Sequence, residues 1–310
     1  MKTITLMTPV FNEVDNIPEL VRRVWAAVEP LKNKYNFEYL FIDNDSTDGT
    51  QDLLRKLAAQ DSRLKVIFNV RNFGHIRSPY YGLLQAKGDA VVVFAGDLQD
   101  PPEMIPQFIE RWEAGYKIAL GVKNESEESR VMFAIRKTYY ELVTRLSHVR
   151  LIRNATGTGL YDREVLEWLR QLDDPEPYLR GIICELGFPI AQVPFIQPRR
   201  SRGITKNNFY TLYDMAMLGI TGFSKIPLRL ATMVGFAGSM LCLLIGAGYL
   251  VYKLLFWNEF RAGIAPMVIG LFFFASVQLF FIGILGEYIG SIHSHVRKRP
   301  LVVEKERVNF

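Results

Sequence analysis

Two long segments without a charged side chain limit most strongly what this chain can fold into. The first runs from Leu230 to Tyr252 and the second from Ile264 to Gly286, and neither contains Asp, Glu, Lys, Arg or His. Each is about as long as the roughly 20 apolar residues that cross a bilayer. The sequence therefore predicts a transmembrane hairpin within residues 227–290, with spans at about 230–252 and 264–286. A pair of deeply buried soluble helices is the alternative.

Positive charge is concentrated on both sides of this hairpin. The residues concerned are Arg199, Arg200, Arg202, Lys206, Lys225 and Arg229 before it, and Arg297, Lys298, Arg299, Lys305 and Arg307 after it. Because basic flanks stay on the cytoplasmic side, we expect a multi-pass protein of the inner (cell) membrane with both termini cytoplasmic. The net charge of +5 comes mostly from these flanks. It favours contact with anionic lipid or phosphate, and nucleic acid is not an expected partner.

The residues before the hairpin alternate between strand-like and helix-like patterns. Strands are predicted at Ile4 to Val10, Tyr39 to Asp43, Leu64 to Phe68, Ala90 to Phe94 and Lys117 to Val122. Helices are predicted from Asn16 onward and at Thr50 to Ala59, Pro79 to Lys87 and Glu103 to Glu113. Such alternation indicates an α/β domain with a mostly parallel sheet, which we place at residues 1–206.

The alternation stops after residue 123, where the predictions become local. Val131 to Ser147 has the spacing of an amphipathic helix, and Gly181 to Gln197 contains two short strand-like runs. Residues 207–226 combine helical spacing with basic neighbours, which predicts an interfacial helix leading into the first span. Residues 291–310 are predicted to form a cytoplasmic basic tail.

Polar residues follow every predicted parallel strand. The strand ends read FNE, DNDSTDGT, NVRNFGH and GDLQDPP in chain order. Ligands of open α/β sheets bind at these carboxyl ends, so a nucleotide-type site is expected there. Neither G-x-G-x-x-G nor G-x-x-x-x-G-K-[ST] occurs, which disfavours a dinucleotide oxidoreductase and a P-loop NTPase. Cys184 and Cys242 are too few for a disulfide framework or a cysteine metal site.

Taken in order, these motifs resemble the family 2 glycosyltransferases of the Rossmann-like GT-A fold. The similarity is strongest to the branch that acts on polyisoprenyl phosphates, which includes dolichol-phosphate mannose synthases and bactoprenol glucosyltransferases. The matching segments are PVFNE at 9–13, DNDSTDGT at 43–50, RNFGH at 71–75, DLQDPPE at 97–103, RSRGITK at 200–206 and FSKIPLR at 223–229, followed by the hairpin.

The resemblance implies a role for each motif in binding a nucleotide-sugar donor. Asp97 and Gln99 would hold a divalent cation, Mg²⁺ or Mn²⁺, and Asp97 and Asp100 would lie at the catalytic centre. The donor nucleotide would be bound by Pro9, Glu13, Asp43 and Arg71. The alternatives are a turn-forming role for Asp43 and a loop-holding salt bridge for Arg71.

The acceptor phosphate or the donor phosphates would be bound by Arg200, Arg202, Thr205 and Lys206. Simple anchoring of this basic run at the lipid surface is the alternative.

Two departures from the family pattern stand out. Ala95 occupies a position where many relatives have Asp, and Thr158 occupies one where many have an acid. Asp100 remains open between turn capping and catalysis, and Asp162 is expected to cap a helix.

The missing acid at position 158 suits an acceptor that needs no general base. A phosphate is already anionic near neutral pH, so positioning and electrostatics suffice for its attack. The expected reaction is inverting transfer of glucose from UDP-glucose to a polyprenyl (undecaprenyl) phosphate. Other donors such as GDP-mannose, a processive polysaccharide synthase and a non-catalytic membrane scaffold are the alternatives. Self-association into a homo-oligomer is a further expectation.

Overall fold

The computed structural model describes residues 1–123, 152, 154–198, 217, 221–222, 224–256, 264–297 and 299–310. The helix predicted at Val131 to Ser147 and most of the one predicted at 207–226 lie outside these residues. So do Arg200, Arg202, Thr205 and Lys206. Predictions for these segments therefore stay predictions.

A single sheet organises the domain before the hairpin. Its strands are β1 (Lys2–Val10), β2 (Tyr35–Asp43), β3 (Leu64–Asn69), β4 (Ala90–Val93), β5 (Ile118–Lys123), β6 (Ala155–Asp162), β7 (Ile190–Phe195) and β8 (Glu304–Val308). They are arranged in the order β7-β5-β6-β4-β1-β2-β3-β8. The central strands β4, β1, β2 and β3 are parallel, which confirms the predicted α/β class.

Helices cover both faces of the sheet. They are α1 (Ile17–Val28), α2 (Thr50–Gln60), α3 (Gly74–Gln85), α4 (Ile105–Glu113), α5 (Arg163–Gln171) and α6 (Leu179–Glu185). Helices α1, α2 and α4 contribute buried residues to one core cluster, and α3, α5 and α6 contribute to the other. Strands buried on both faces read as continuous apolar runs, as AVVV does in β4.

The structure corrects the prediction for residues 154–197. Ala155–Asp162 is a strand that the sequence analysis missed; β6 is antiparallel to both neighbours and lies between β4 and β5. Gly159 permits this close approach, since a Cβ there would lie 2.3 Å from the Ala119 carbonyl oxygen. The first of the two predicted strand-like runs is instead helix α6, and only β7 is a strand. Helix α3 begins at Gly74, five residues before the predicted start at Pro79.

The predicted basic tail is also corrected in part. Residues 304–308 form β8, which pairs antiparallel with β3 and covers the edge of the sheet. Val302 is buried and Val308 packs against the core. Covering an edge strand protects its unpaired backbone groups from pairing with another chain.

Two long helices connect the domain to β8. Helix α7 spans Ile226–Leu255 and α8 spans Ile264–Val296, and both are long and apolar enough to cross a membrane. Their apolar side chains are exposed in the structure, unlike those of a core helix. At the domain end, the Tyr288 hydroxyl donates to the Ser224 carbonyl oxygen at 2.6 Å. Near the same end, His295 Nε2 lies 3.5 Å from Asp174 Oδ1.

Candidate active site

The predicted site residues of the first four strands meet at one edge of the sheet. Val10 is paired with Asp43, and Asp43 with Phe68, so the ends of β1, β2 and β3 are level. Strand β4 pairs with β1 through Val93 and Met7, and Asp97 follows four residues later. The carboxyl ends of parallel strands therefore form the predicted polar edge.

Hydrogen bonds join the loop after β1 to the loop after β2. The Asn12 backbone N–H donates to Ser46 Oγ at 2.8 Å, and the Thr47 N–H donates to Asn12 Oδ1 at 2.8 Å. The Glu13 N–H donates to Thr50 Oγ1 at 3.1 Å. The Glu13 carboxylate accepts from Asn16 Nδ2 at 2.6 Å. The two loops that carry Glu13 and Asp43 are thus held together as one unit.

Asp43 is a fully buried carboxylate with one oxygen left over. Its Oδ2 accepts a hydrogen bond from the Ser46 N–H at 3.0 Å. Within the described part of the chain, Oδ1 has no hydrogen-bond partner. Burial raises the pKa of Asp43, while hydrogen bonds from Ser46 act in the opposite direction. A buried acceptor without a partner is costly, so this oxygen is suited to receive a ligand N–H.

The β3–α3 loop, residues 70–73, carries Arg71. The Arg71 guanidinium lies 4.1 Å from the centre of the Phe73 ring and donates to the Asn72 carbonyl oxygen at 3.1 Å. This side chain is exposed at the edge of the sheet. Both contacts lie within its own loop, and among the described residues Arg71 forms no salt bridge, so the alternative of a loop-holding salt bridge gains no support.

Asn44 shapes this loop and was missed by the sequence analysis. Its Oδ1 accepts from Asn69 Nδ2 at 3.0 Å and from the Phe73 N–H at 2.9 Å. Its Nδ2 donates to Asn72 Oδ1 at 2.8 Å and to the Gly74 carbonyl oxygen at 3.2 Å. The side-chain amide that follows Asp43 therefore fixes the conformation of the β3–α3 loop. The available signal was the group of Asn residues at the ends of β2 and β3, at positions 44, 69 and 72.

The turn after β4 presents Asp97 at the same edge. Gly96 packs against β1, since a Cβ there would lie 3.0 Å from Val10 Cγ1 and 3.3 Å from the Pro9 carbonyl oxygen. Pro9 thus lies beside the turn. Asp97 Oδ1 accepts from the Gln99 N–H at 3.2 Å. Leu98 has φ of 60°, a left-handed conformation that costs a non-glycine residue about 1–2 kcal/mol. Its side chain packs against the core, which helps to hold this turn in place.

The donor set near this turn fits a hard divalent cation that is bound jointly with a ligand. Asp97 and Gln99 supply a carboxylate and amide oxygens, which such cations prefer. Across the described residues, no cluster of three or more His, Cys, Asp or Glu side chains could hold a metal ion alone. Mg²⁺ commonly binds through one or two carboxylates together with phosphates of the substrate. The residues present fit that mode of binding.

Asp100 points away from solvent toward β6. It is 5% exposed, and the Thr158 hydroxyl donates to its Oδ2. Burial raises the pKa of Asp100, and the hydrogen bond from Thr158 acts against this shift. This contact supports a role for Asp100 in holding the turn in place, whereas Asp100 Oδ1, like Asp43 Oδ1, has no hydrogen-bond partner among the described residues.

Asp162 caps a helix, as the sequence analysis expected. It is the N-cap of α5, and its Oδ1 accepts from the Glu164 N–H at 2.9 Å. Trp112 Nε1 donates to Oδ2 at 2.7 Å, and Lys117 Nζ lies 3.2 Å from Oδ1. Asp162 is paired with Ala90, the first residue of β4. It therefore lies at the end of the sheet opposite to Asp97, which follows the last residue of β4.

His75 lies in the first turn of α3, beside the same edge. Its pKa is lowered by partial burial and by the positive charge of Arg180. Arg180 in turn donates to the Thr156 carbonyl oxygen at 2.9 Å. A positively charged group therefore lies near the mouth of the site on the side of β6.

Comparisons with known proteins agree with this geometry. Residues 5–168 match the model of glycosyl transferase family 2. An SfII prophage-derived bactoprenol glucosyl transferase of Shigella flexneri is 34% identical over 304 residues, which cover 98% of this chain and 97% of that protein. A prophage bactoprenol glucosyl transferase homolog of Escherichia coli K12 is 32% identical, covering 97% of this chain and 98% of the relative.

Among solved structures, a mannosyltransferase from Pyrobaculum calidifontis in complex with GDP-Man and Mn²⁺ resembles the chain at 16% identity. The alignment covers 95% of this chain and 86% of that one, with a TM-score of 0.47.

The fold and the strand-end site define a glycosyltransferase with a GT-A-like sheet. The chain belongs to glycosyl transferase family 2, because the family model covers more than half of it and curated relatives match almost its full length.

Proposed function

We propose that the protein transfers glucose from UDP-glucose to a polyprenyl phosphate, forming a polyprenyl-phosphate glucose and UDP. The similarity to bactoprenol glucosyl transferases carries this proposal, since it extends over 98% of the chain. It therefore includes the two apolar helices as well as the nucleotide-binding half. A similarity limited to the donor-binding strands would support only a transferase of unspecified acceptor.

The donor is proposed to bind across the ends of β1, β2 and β3. Asp43 Oδ1 would accept the ring N–H of uracil, because this buried oxygen has no partner among the described residues. Pro9 and Glu13 would line the same nucleotide pocket, and Arg71 would reach the diphosphate as a charged donor. Guanidinium groups suit phosphate oxygens because of their fork of N–H donors.

Asp97 and Gln99 are proposed to hold a Mg²⁺ or Mn²⁺ ion together with the donor diphosphate. When bound, this cation would neutralise the charge that develops on the departing UDP. The Asp97 turn is held in place by Gly96 against β1 and by Leu98 in the core. The carboxylate is therefore positioned before the donor arrives.

The acceptor phosphate is proposed to attack the anomeric carbon directly, with inversion and without a general base. The bond from the anomeric carbon to the diphosphate oxygen breaks as the bond to the acceptor phosphate oxygen forms. Thr158 supplies a hydroxyl and no carboxylate, and Asp100 is buried against it. An anionic nucleophile has no proton to lose, so this arrangement is sufficient. Arg200, Arg202, Thr205 and Lys206 remain the proposed phosphate-binding residues.

The two apolar helices are proposed to cross the membrane as a hairpin with the domain on the cytoplasmic side. Strand β8 follows the second helix and pairs with β3 of the domain. The chain must therefore return to the side from which it left, which requires an even number of crossings. Helices α7 and α8 supply two.

The test is transfer of radiolabelled glucose from UDP-glucose into a butanol-extractable lipid by the purified full-length chain with undecaprenyl phosphate. We expect product with Mg²⁺ or Mn²⁺, and a loss of about 100-fold or more in Asp97→Asn, since an amide binds a divalent cation weakly. Asp61→Asn is the matched control, because Asp61 follows α2 and precedes β3, at the end of the sheet opposite to the carboxyl ends of the strands. It should retain full activity.

Failure to form a lipid-linked sugar from UDP-glucose, UDP-galactose or GDP-mannose would contradict a transferase with a polyprenyl phosphate acceptor. Product from GDP-mannose alone would reject only the proposed donor. Equal activity of Asp97→Asn and the wild type would contradict the ligand role of Asp97.

A further inference from the structure

The C-terminal segment, residues 299–310, binds the edge of the sheet directly beside the β3–α3 loop. Its strand β8 pairs with β3, and the register shifts between Phe68 and Asn69 where β3 ends. The next contact involves the loop itself, because the Val70 N–H donates to the Val303 carbonyl oxygen at 3.0 Å. The C-terminal segment therefore continues the pairing into the loop that carries Arg71.

The same segment also binds the helix that follows the loop. Arg77 in α3 donates from a terminal guanidinium nitrogen to the Pro300 carbonyl oxygen at 2.7 Å. One turn further along α3, the Tyr81 hydroxyl donates to Glu304 Oε1 at 2.7 Å. Both elements that flank the β3–α3 loop are therefore attached to the C-terminal segment.

On its inner side, the β3–α3 loop is attached to Asn44. The Asn44 side chain bonds to Phe73, Asn72 and Gly74, and its neighbour Asp43 carries the unpartnered buried oxygen. The loop is thus held between the nucleotide side of the site and the C-terminal segment. Two sets of contacts from opposite sides define one conformation more strongly than either set alone.

The C-terminal segment is also close to the second apolar helix along the chain. Helix α8 ends at Val296, four residues before Pro300. A fully extended chain covers about 3.3–3.6 Å per residue, so at most about 14 Å separates the helix end from the contact with Arg77. The β3–α3 loop cannot move far from the end of α8 while this contact persists.

We propose that the C-terminal segment is a positioning element of the donor site. It holds the β3–α3 loop, and with it Arg71, in the conformation that receives the donor diphosphate close to the end of α8. This inference rests on the proposed function for the role of Arg71, but the attachment of the loop can be tested separately. Arg77 is the positioning residue through which we test it.

The experiment compares three variants of the full-length chain in detergent. Arg77→Met removes the donor to Pro300 while keeping a long side chain, and Arg77→Lys retains a donor. Arg170→Met is the matched control, because Arg170 also donates to backbone carbonyl oxygens of the α3 region, those of Leu84 at 3.0 Å and Ala86 at 2.6 Å. These contacts lie at the opposite end of α3 from the loop.

The first measurement is amide hydrogen exchange of residues 70–73, which does not depend on activity. We expect about tenfold faster exchange in Arg77→Met, little change in Arg170→Met and intermediate rates in Arg77→Lys. The second is the kinetics of glucose transfer. We expect KM for UDP-glucose to rise about fivefold or more in Arg77→Met while kcat stays within about twofold, because donor binding is what the loop supports.

Wild-type exchange rates at residues 70–73 in Arg77→Met would overturn the inference. An equal rise of KM in Arg170→Met would overturn it as well, since general loosening of α3 would then explain the effect. Absence of glucose transfer by the wild type would contradict the proposed function alone, and the exchange comparison would still decide whether the segment holds the loop.

Discussion

Asp43 illustrates at the residue scale how burial creates a binding group. The carboxylate is fully buried, yet only one of its oxygens is bonded within the described residues. An unmade hydrogen bond in such a place costs about 1–3 kcal/mol, which a ligand N–H can recover. The unpartnered oxygen therefore lowers the stability of the fold, and it suits the proposed contact with a nucleobase.

We predict that Asp43→Asn weakens UDP binding about tenfold or more. The Ser46 N–H needs an acceptor, so the new amide must turn its oxygen toward Ser46 and its NH₂ group toward the ligand. The NH₂ group of the new Asn and the N–H of the uracil ring are both donors, and they would then face each other. Calorimetric titration with UDP measures the effect, and Asp45→Asn is the control, because it removes a charge from the same loop while the Asp43 carboxylate stays in place. Unchanged affinity in Asp43→Asn would contradict the role of Asp43.

The same substitution has a predicted effect on stability. Burial raises the pKa of Asp43, so the folded chain binds this proton more tightly than the unfolded chain. Its contribution to stability is present below the unfolded pKa and is lost as the pH rises through the folded pKa. We therefore expect Asp43→Asn to have an equal or higher Tm than the wild type at pH 7, with a smaller difference in acid. A Tm for Asp43→Asn below that of the wild type at pH 7 would contradict this prediction.

At the scale of elements, Asp162 joins a strand, a helix and a side chain from a second helix. It ends β6, caps α5 and accepts from Trp112 of α4. Burial acts to raise its pKa, but the hydrogen bonds from Trp112, the Glu164 N–H and Lys117 together lower it. These contacts lie at the end of the sheet opposite to Asp97, so their role is to hold β6 between β4 and β5.

We predict that Asp162→Ala lowers the free energy of unfolding by about 0.5–2 kcal/mol, the usual range for loss of an N-cap. Asp162→Asn should recover most of this loss, since an amide oxygen can still cap α5. Thermal or denaturant unfolding measures both, and KM for UDP-glucose should stay at the wild-type value. A large rise in KM with normal stability would instead assign Asp162 to the site.

For the molecule as a whole, β8 ties the chain that follows the two apolar helices back to the domain. Arg55 of α2 pairs with Glu306 at 2.9 Å, and Asn309 donates to the Ala58 and Leu64 carbonyl oxygens. The residues before and after the two apolar helices therefore belong to one folded body. In the proposed membrane topology, this arrangement requires the domain and β8 to lie on the same side of the bilayer.

We predict that Gln60→Cys and Lys305→Cys, each in a chain without Cys184 and Cys242, react with a membrane-impermeant maleimide from the same side. Both positions are exposed, one at the end of α2 and the other on β8. Gln60→Cys reports on which side of the membrane the domain lies, and it serves as the reference for Lys305→Cys. Labelling of the two positions from opposite sides of sealed vesicles would contradict the pairing of β8 with β3 within this membrane topology.

The residues of the proposed donor site were predictable to different degrees. Asp43, Asp97 and Gln99 follow apolar strands in the sequence, and parallel strands bring such positions to one edge. Asn44 was not predictable, because its importance lies in contacts with residues 69–74. The same holds for Thr158 and Asp100, which are 58 residues apart in the chain and meet only because β6 inserts beside β4.

By itself, the sequence determined the α/β alternation, the polar strand ends and the two apolar helices, because each rests on the local spacing or length of apolar runs. The tertiary structure decided where β6 and β8 pair. Both strands are polar or glycine-rich by local pattern, and their partners lie far away in the chain, so long-range hydrogen bonding rather than local preference places them. Those two pairings put Thr158 against Asp100 and the C-terminal segment against the β3–α3 loop.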